Sequence, residues 1–283
     1  MSTVTLGPSG TYSHRAARAV SDGTVSFRES VTSIVEAVAS GDADRGVVPI
    51  ENSIEGSVTE TLDALADYDV AVTQEVVTPI KHALLAQREA FDVVASHPQA
   101  LAQCRGFLDD EYPDVNREAV ASTATGVERA REDASVAAIA HPDNADDTDS
   151  PGHSGGEPGD GALRTLAEDV QDRTSNATRF FVIAGPDEGS EAGGKSTFVV
   201  YPNANYPGLL LELLEPFAER NVNLTRVESR PSGERLGDYC FHLDVEGGLY
   251  EDRTQEALAA VRGICEDGWV RELGSYDVRT VVS

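Results

Sequence analysis

The sequence is poor in several residue types, and each shortage argues against a class of protein. Its three cysteines, at positions 104, 240 and 265, are too few and too scattered for a disulfide framework or a Cys-x-x-Cys metal site, so we expect reduced thiols. No run of about 18 apolar residues occurs, so no membrane-spanning segment is expected. The N-terminal residues MSTVTLGPSG have neither a basic segment nor an apolar core, which predicts a cytoplasmic protein rather than a secreted one.

Two further absences concern metals and cofactors. The six histidines show no H-x-x-H or H-E-x-x-H spacing, which gives metal ligation little support. The glycines near the N-terminus, in Gly7-Pro8-Ser9-Gly10, lack the lysine and the third glycine of nucleotide-binding motifs. We therefore expect neither a metal nor an organic cofactor.

Lysine is nearly missing from a very acidic chain. Only Lys81 and Lys195 are lysines among 22 basic residues, and 49 acidic residues bring the net charge to −27. Such a charge repels nucleic acid and anionic membranes, so neither is expected as a partner. Multimolar salt shortens the Debye length to about 3 Å and removes most of this repulsion. We interpret the acidity as adaptation to a saline cytoplasm, in which a local arginine can still bind a small anion.

The apolar pattern divides the 283 residues into a body and a tail. Over residues 1–185, short apolar runs alternate with helix-period segments in two successive blocks, which predicts an α/β body with a Gly-, Pro- and Asp-rich insertion at about 142–161. Residues 186–195 read as a flexible linker. Residues 196–276 follow a βαββαβ order, which predicts a ferredoxin-like domain. An open sheet face of that size usually finds a partner, so we expect a dimer.

Three polar clusters follow predicted strands of the body, where open α/β sheets place their ligands, and a fourth leads into the last predicted strand of the body. A single cluster of this kind usually forms a turn or a helix cap. Four clusters rich in hydroxyls and amides, with one arginine, fit a site for a small polyoxygenated acid. The clusters are Gly10 to Ser13, Glu51-Asn52-Ser53 with Gly56 and Ser57, Ser96 to Gln99 with Gln103, and Thr178-Arg179.

These residues carry a family resemblance. The stretches GPSGTYS at 7–13, PIENS at 49–53, SHPQAL at 96–101 and TRF at 178–180 together resemble prephenate dehydratase, in order and spacing across the whole body. The tail resembles the ACT regulatory domain of that family, through PGLL at 207–210, NLT at 223–225 and ESRP at 228–231.

The resemblance implies two α/β subdomains, similar to periplasmic binding proteins, with the site in the cleft between them. It implies decarboxylative dehydration of prephenate to phenylpyruvate without a cofactor. Thr178 would be tied most closely to turnover, with Asn52, Ser96 and Gln103 as further catalytic residues. Arg179 would pair with a substrate carboxylate. The other substrate-binding residues that it implies are Phe180, Thr11, Glu51, Ser53, Gly56 and Ser57.

For the tail, the resemblance implies an allosteric L-phenylalanine site between ACT domains of a homodimer or homotetramer. Glu228 would bind the ammonium group, and the backbone near Asn223 and Leu224 the carboxylate. The remaining residues of this site would be Gly208, Leu209, Ser229 and Arg230. Leu209 stands where the family usually has alanine, which enlarges a side chain near the effector.

Several alternatives stay open from the sequence. Arogenate dehydratase catalyses the same reaction on the aminated substrate, and a non-catalytic small-acid-binding protein would suit the same architecture. Either Thr178 or Glu51 could supply the proton for the leaving hydroxyl. Tyrosine or tryptophan could replace phenylalanine as the effector, and the sign of regulation is not fixed.

Overall fold

The computed structural model describes residues 1–54, 56–146, 161–173, 175–189 and 192–281 of the chain. Most of the predicted insertion at 142–161 lies outside these ranges and stays a prediction. Contacts between residues divide the chain into two compact units: unit 1 contains Met1–Gly7, Ser13–Thr78 and the chain from Thr178 onward, and unit 2 contains Pro8–Tyr12 and Pro79–Ala177. Within the described ranges, no helix has both the length and the apolar character needed to cross a membrane.

Helices and strands alternate through both units. In the body they are β1 (Thr3–Leu6), α1 (Tyr12–Val20), β2 (Val25–Arg28), α2 (Val31–Ala39), β3 (Arg45–Asn52), β4 (Gly56–Ser57), α3 (Thr59–Asp67), β5 (Ala71–Pro79), β6 (Ala83–Ala86), β7 (Val93–Ser96), α4 (Pro98–Gln103), α5 (Arg105–Glu111), β8 (Asn116–Ala119), α6 (Thr123–Glu132), β9 (Val136–Ala140), β10 (Arg164–Ala167) and β11 (Ala177–Ala184). The tail contains β12 (Lys195–Tyr201), α7 (Leu209–Glu219), β13 (Leu224–Pro231), β14 (Tyr239–Glu246), α8 (Asp252–Ile264), β15 (Trp269–Tyr276) and β16 (Val278–Thr280).

Local chemistry explains the helix α2, which the sequence predicts well. Ser30 caps its N-terminus, and the Ser30 and Ser33 side chains bond each other's backbone N–H in a capping box. Ile34, Val35 and Val38 are buried at helical spacing. Gly41, at φ +81°, provides the left-handed residue that follows the helix.

The part of unit 1 that precedes the linker forms the first α/β lobe. Its sheet brings together β3 and β11, two strands that carry predicted site residues. Its order is β16-β5-β11-β3-β1-β2, with β4 paired to β3. Strand β1 runs parallel to β2 and β3, whereas β11 runs antiparallel to β3. The register of this last pair sets Thr178 opposite Asn52 and Arg179 opposite Glu51.

Unit 2 forms the second α/β lobe. Its sheet has the order β10-β6-β9-β7-β8, in which β7 runs parallel to β8 and β9. The chain enters unit 2 at Pro8 and again at Pro79, and it leaves after Tyr12 and after Ala177, so it passes between the units four times. This topology of two α/β lobes confirms the periplasmic-binding-protein-like body that the resemblance implies. The helix predicted from Pro98 to about Leu108 is two helices, α4 and α5, which meet at Cys104.

The tail is the predicted ferredoxin-like domain. Its antiparallel sheet has the order β13-β14-β12-β15, and α7 and α8 cover one face over a core that includes Phe198, Phe217 and Leu258. The last strand, β16, leaves this domain and pairs in parallel with β5 of the first lobe.

The prediction of an open sheet face in this domain was wrong. Val199, Cys240 and Tyr276 on the face opposite the helices share one apolar cluster with Val72 and Ile183 of the first lobe. The chain therefore covers this face itself, because β12, β14 and β15 present apolar side chains on both sides. The oligomer that this face was meant to explain stays a prediction.

Close packing of α6 on β7 gives a test of this fold. A Cβ atom at Gly126 would lie 2.6 Å from the backbone oxygen of Ala95, so we expect Gly126→Ala to lower the free energy of unfolding by about 1–3 kcal/mol. Gly263 in α8 has open space at the equivalent point, so Gly263→Ala should raise it by about 0.5–1 kcal/mol. Denaturant unfolding in concentrated KCl measures both values. Equal effects of the two replacements would contradict this packing.

Candidate functional site

A hydrogen-bonded pair of predicted catalytic residues lies on β3 and β11. The Asn52 amide N–H donates to Thr178 Oγ1 at 3.0 Å, and Asn52 Oδ1 accepts the backbone N–H of Ile54 at 2.9 Å. The second bond fixes which end of the amide faces the threonine. Since Thr178 Oγ1 accepts from Asn52, its hydroxyl proton stays available for another acceptor. The pair thus offers one O–H donor of fixed position.

Arg179 is surrounded by carboxylates. Its guanidinium forms ion pairs with Glu51 at 2.6 Å, Glu75 at 2.8 Å and Asp244 at 2.9 Å. Glu75 and Asp244 are almost fully buried. Successive strand residues face opposite sides of a sheet, so this guanidinium and the Thr178 hydroxyl are directed to different faces. The role of Arg179 toward a substrate carboxylate stays a prediction, and the structure gives it three partners within the protein.

The ion pairs of Arg179 belong to a larger buried network. Asp244 accepts from Arg226 Nε at 2.8 Å and Nη2 at 3.0 Å, and from the Thr197 hydroxyl at 2.9 Å. Lys195 Nζ lies 2.9 Å from a Glu75 oxygen. Three cations therefore face three carboxylates, and the network joins β3, β5 and β11 of the first lobe to β12, β13 and β14 of the tail.

This network controls the protonation of its central carboxylate. Burial by itself would raise the pKa of Asp244, but Arg226 and then Arg179 outweigh it and lower the pKa to about 2. Burial would likewise lower the pKa of Arg179, but Asp244 and Glu75 raise it above its ordinary value. Asp244 and Arg179 are therefore both charged at neutral pH.

A second cluster of polar residues lies in unit 2. Gln103 Oε1 is 2.9 Å from His82 Nε2, and the Tyr12 hydroxyl donates to the backbone oxygen of Lys81 at 2.5 Å. Burial lowers the pKa of His82, although its bond to Gln103 opposes this shift. The sequence analysis did not select His82, and it named Tyr12 only as a member of the first polar cluster, without a role. The only sequence signal for this cluster was the position of Tyr12 inside the first polar cluster. His82 gave none, because it directly precedes an apolar strand and looks like part of it.

The remaining predicted residues of unit 2 bond to its backbone. Ser96 is fully buried at the end of β7 and donates to the Ile139 oxygen at 2.6 Å. The Thr11 hydroxyl donates to the Pro8 oxygen at 3.0 Å. Throughout the described ranges, no group of three His, Cys, Asp or Glu side chains is arranged to hold a metal ion.

In unit 1, the other predicted substrate-binding residues differ in exposure. Phe180 is buried, with 1% exposed, and packs inside the lobe. Ser53 is exposed, and Gly56 adopts φ +86° at the start of β4. The Ser57 hydroxyl donates to the Glu228 carboxylate of the tail at 3.0 Å.

The predicted effector residues separate into two groups. Gly208, Leu209 and Ser229 line one cavity of about 300 Å³, together with Tyr239 and Phe241. Asn223, Leu224, Glu228 and Arg230 do not line this cavity.

The alternation of side chains along β13 explains why Ser229 lines the cavity and its neighbours Glu228 and Arg230 do not. Glu228 and Arg230 project from the strand face opposite Ser229. Glu228 accepts from Ser57, and Arg230 makes two bonds to Asp63 on α3, at 2.9 and 2.8 Å. The two ionic residues of the ESRP stretch therefore contact the first lobe.

The buried network leads to a stability prediction. Asp244→Asn leaves Arg226 and Arg179 facing a neutral group, so we expect a loss of about 3–5 kcal/mol in the free energy of unfolding. Asp63→Asn breaks a half-exposed pair with Arg230, and a loss of about 1 kcal/mol or less is expected. Equilibrium unfolding in concentrated KCl separates the two. A small loss in both variants would show that the network contributes little to stability.

Comparison with known proteins agrees with this geometry. A model of the prephenate dehydratase family matches residues 3–188, and a model of the ACT domain matches residues 203–263. The prephenate dehydratase of Amycolatopsis methanolica is 36% identical over 279 residues, covering 96% of this chain and 86% of that protein. The prephenate dehydratase of Methanocaldococcus jannaschii is 35% identical over 292 residues, covering 96% of both.

A solved structure resembles the chain over nearly its full length. Prephenate dehydratase from Arthrobacter aurescens, determined in complex with L-Phe, superposes with a TM-score of 0.84 at 36% identity, covering 98% of this chain and 90% of that one. The chain therefore belongs to the prephenate dehydratase family and carries that family's catalytic region followed by an ACT domain.

Proposed function

We propose that this chain converts prephenate to phenylpyruvate with Thr178 as the donor to the departing hydroxyl. Prephenate carries a carboxylate and a hydroxyl at opposite positions of a non-aromatic ring. The electron pair of the breaking C–CO₂ bond moves into the ring and the C–O bond breaks, so CO₂ and hydroxide leave. One proton converts the hydroxide to water. The ring becomes aromatic, and the enzyme has to align these bonds and supply the proton.

The observation that carries this assignment is the bond from Asn52 to Thr178. An accepted N–H polarises the Thr178 hydroxyl and makes it a stronger donor, and its proton has no other use within the described part of unit 1. Glu51 instead holds Arg179, so we assign the donor role to Thr178 rather than to Glu51. A positioned donor of this kind is worth about 10²–10⁴-fold in rate.

The other polar residues have supporting roles in this proposal. Gln103 and Thr11 in unit 2 contact the substrate, Ser96 holds the end of β7 through its buried bond to the Ile139 oxygen, and Ser53, Gly56 and Ser57 shape the segment after β3. Arg179 remains our candidate partner for a carboxylate. Its three ion pairs support a second function, since they hold the strand that carries Thr178.

The donor role predicts a ranking of variants. Thr178→Val keeps the shape without the hydroxyl and should lower kcat by about 100-fold or more, whereas Thr178→Ser should stay within about tenfold. Asn52→Ala should add little to Thr178→Val, because both act through one bond. Phenylpyruvate formation in multimolar KCl measures each rate, with circular dichroism as the control for folding.

The same assay separates the alternatives. Turnover of arogenate without turnover of prephenate would assign the chain to the aminated substrate. Binding of prephenate by the folded protein without turnover would identify a binding protein. Full activity of Thr178→Val would contradict the donor role alone.

We further propose that L-phenylalanine binds in the cavity of the tail. The walls formed by Leu209, Tyr239 and Phe241 suit an aromatic ring. The cavity also reaches the N-terminus of α7 after Gly208, where the backbone N–H groups of Leu210 and Leu211 suit a carboxylate. Leu209 reduces the space that the usual alanine would leave.

An assembly through this domain completes the proposal. Leu210, Leu211 and Tyr239 line the cavity and are exposed, with Leu211 71% exposed, and Val227 is exposed on β13. Strand β13 is an edge of its sheet. No cavity residue is acidic, so the ammonium group of the effector needs a partner from elsewhere, which a second subunit can provide. We expect a homodimer or homotetramer built on this surface.

The exposed leucine offers a test of assembly and regulation together. Leu211→Asp should shift the chain to a monomer and weaken L-phenylalanine binding by about tenfold or more, because a charge would be buried at the contact. Tyr250→Asp, an exposed site that does not line the cavity, should change neither. Sedimentation velocity and calorimetric titration give the two readouts. Unchanged mass in Leu211→Asp would exclude this surface.

We also propose that the chain works in a saline cytoplasm. The net charge of −27 and the near absence of lysine support this setting, since dense carboxylates stay repulsive unless salt screens them. For this reason the assays above are set in concentrated KCl.

A further inference from the structure

The contact between Gln103 and His82 determines which ring nitrogen of His82 carries the hydrogen. An amide oxygen can only accept, and Gln103 Oε1 lies 2.9 Å from His82 Nε2, so Nε2 must carry the hydrogen. A neutral imidazole has one N–H, and burial of the ring lowers the His82 pKa and favours that neutral form. The Nδ1 atom is then left as an acceptor.

The surroundings of Nδ1 agree with this tautomer. The Tyr12 oxygen lies 3.4 Å from Nδ1, which is longer than a normal hydrogen bond. Tyr12 directs its single proton to the Lys81 oxygen at 2.5 Å. The ring of Tyr12 stands edge-on to the imidazole, with 83° between the planes.

Both partners are anchored by one short segment. The backbone N–H of His82 donates to Gln171 Oε1 at 2.8 Å, and the N–H of Val170 donates to the His82 oxygen at 3.0 Å. The N–H of Asp172 donates to the backbone oxygen of Gln103 at 2.7 Å. Residues 170–172 therefore hold the backbones of His82 and Gln103 in place, and the His82 side chain is buried, with only 2% of the residue exposed.

The bond to His82 decides what Gln103 offers to a ligand. Its oxygen is occupied, and its NH₂ group has no partner in the part of unit 2 that the structure describes. Prephenate is a dianion, which needs donors. If the imidazole proton were on Nδ1, the amide would rotate to donate to Nε2, and Gln103 would present an oxygen that repels a carboxylate.

We propose that His82 is a positioning residue, which orients the Gln103 amide so that its NH₂ group donates to a carboxylate of the substrate. The inference rests on the proposed function in one respect, since Gln103 is taken there to contact prephenate. His82 itself does not touch the substrate. Its replacement therefore acts on binding through the amide and leaves the donor Thr178 unchanged.

Kinetics of three variants test this role. His82→Leu frees the amide to rotate and should raise KM by about 10- to 100-fold with a smaller change in kcat. His82→Gln returns an N–H near the position of Nε2 and should restore KM to within a few-fold. Gln103→Glu has the same size but no NH₂ group and should raise KM at least as much as His82→Leu. Equal losses in His82→Gln and His82→Leu would indicate a packing role and overturn the proposal.

Nitrogen-15 NMR of the imidazole gives a readout that needs no turnover. In protein with ¹⁵N-labelled histidine, the His82 signals, identified by their loss in His82→Gln, should show a protonated Nε2 and an unprotonated Nδ1. A protonated Nδ1 would overturn the proposal directly. Full activity of Gln103→Ala would remove the substrate contact and this inference with it, whereas the Thr178 variants would still report on the reaction.

Discussion

The structure of unit 1 depends on the ionised carboxylate of Asp244, which joins the tail to the first lobe. It is fully buried and faces Arg226 and Arg179. Charges removed from water are costly unless they are matched, and here three cations meet three carboxylates. Because Arg179 directly follows Thr178, the same balance that stabilises the fold also holds the strand of the proposed donor. The register of β3 and β11 aligns Thr178 with Asn52, and the ion pairs of Arg179 stabilise the strand that carries Thr178.

The two lobes prepare hydrogen-bond donors in the same way. In unit 1, the Thr178 oxygen accepts from Asn52, which leaves an O–H to donate. In unit 2, the Gln103 oxygen faces His82, which leaves an NH₂ group. In both cases the acceptor atom of a small polar side chain is occupied by the protein, so only the donor is offered. In our proposal these two neutral donors bind a doubly negative substrate, so they add no positive charge to a chain that has 22 basic residues.

Apolar periodicity was sufficient to predict most helices and strands, the α/β body and the ferredoxin-like tail, because those elements bury regular faces. It missed β8, whose four residues are all exposed, and β16, which pairs with a strand about 200 positions earlier. The partners of Arg179 were also beyond sequence reasoning, since Glu75 and Asp244 lie 104 and 65 residues away. The ESRP stretch was recognised, but only the sheet shows which of its side chains face the cavity. His82 gave no signal, because its role depends on a ring buried against Gln103.

The return of β16 to the first lobe limits how this protein can be divided. A fragment cut at the linker would lose Lys195, Arg226 and Asp244 together. Among the residues that the structure describes, Arg179 would then keep only Glu51 and Glu75 as ionic partners, and Glu75 would keep only Arg179. It would also leave β5 as a bare sheet edge, open to pairing with another chain. The catalytic region and the ACT domain are therefore separate in the sequence, but they do not form independent units in the folded molecule. Transplanting a different sensor onto this catalytic region would require a replacement acid at the position of Asp244 and a strand to cover β5.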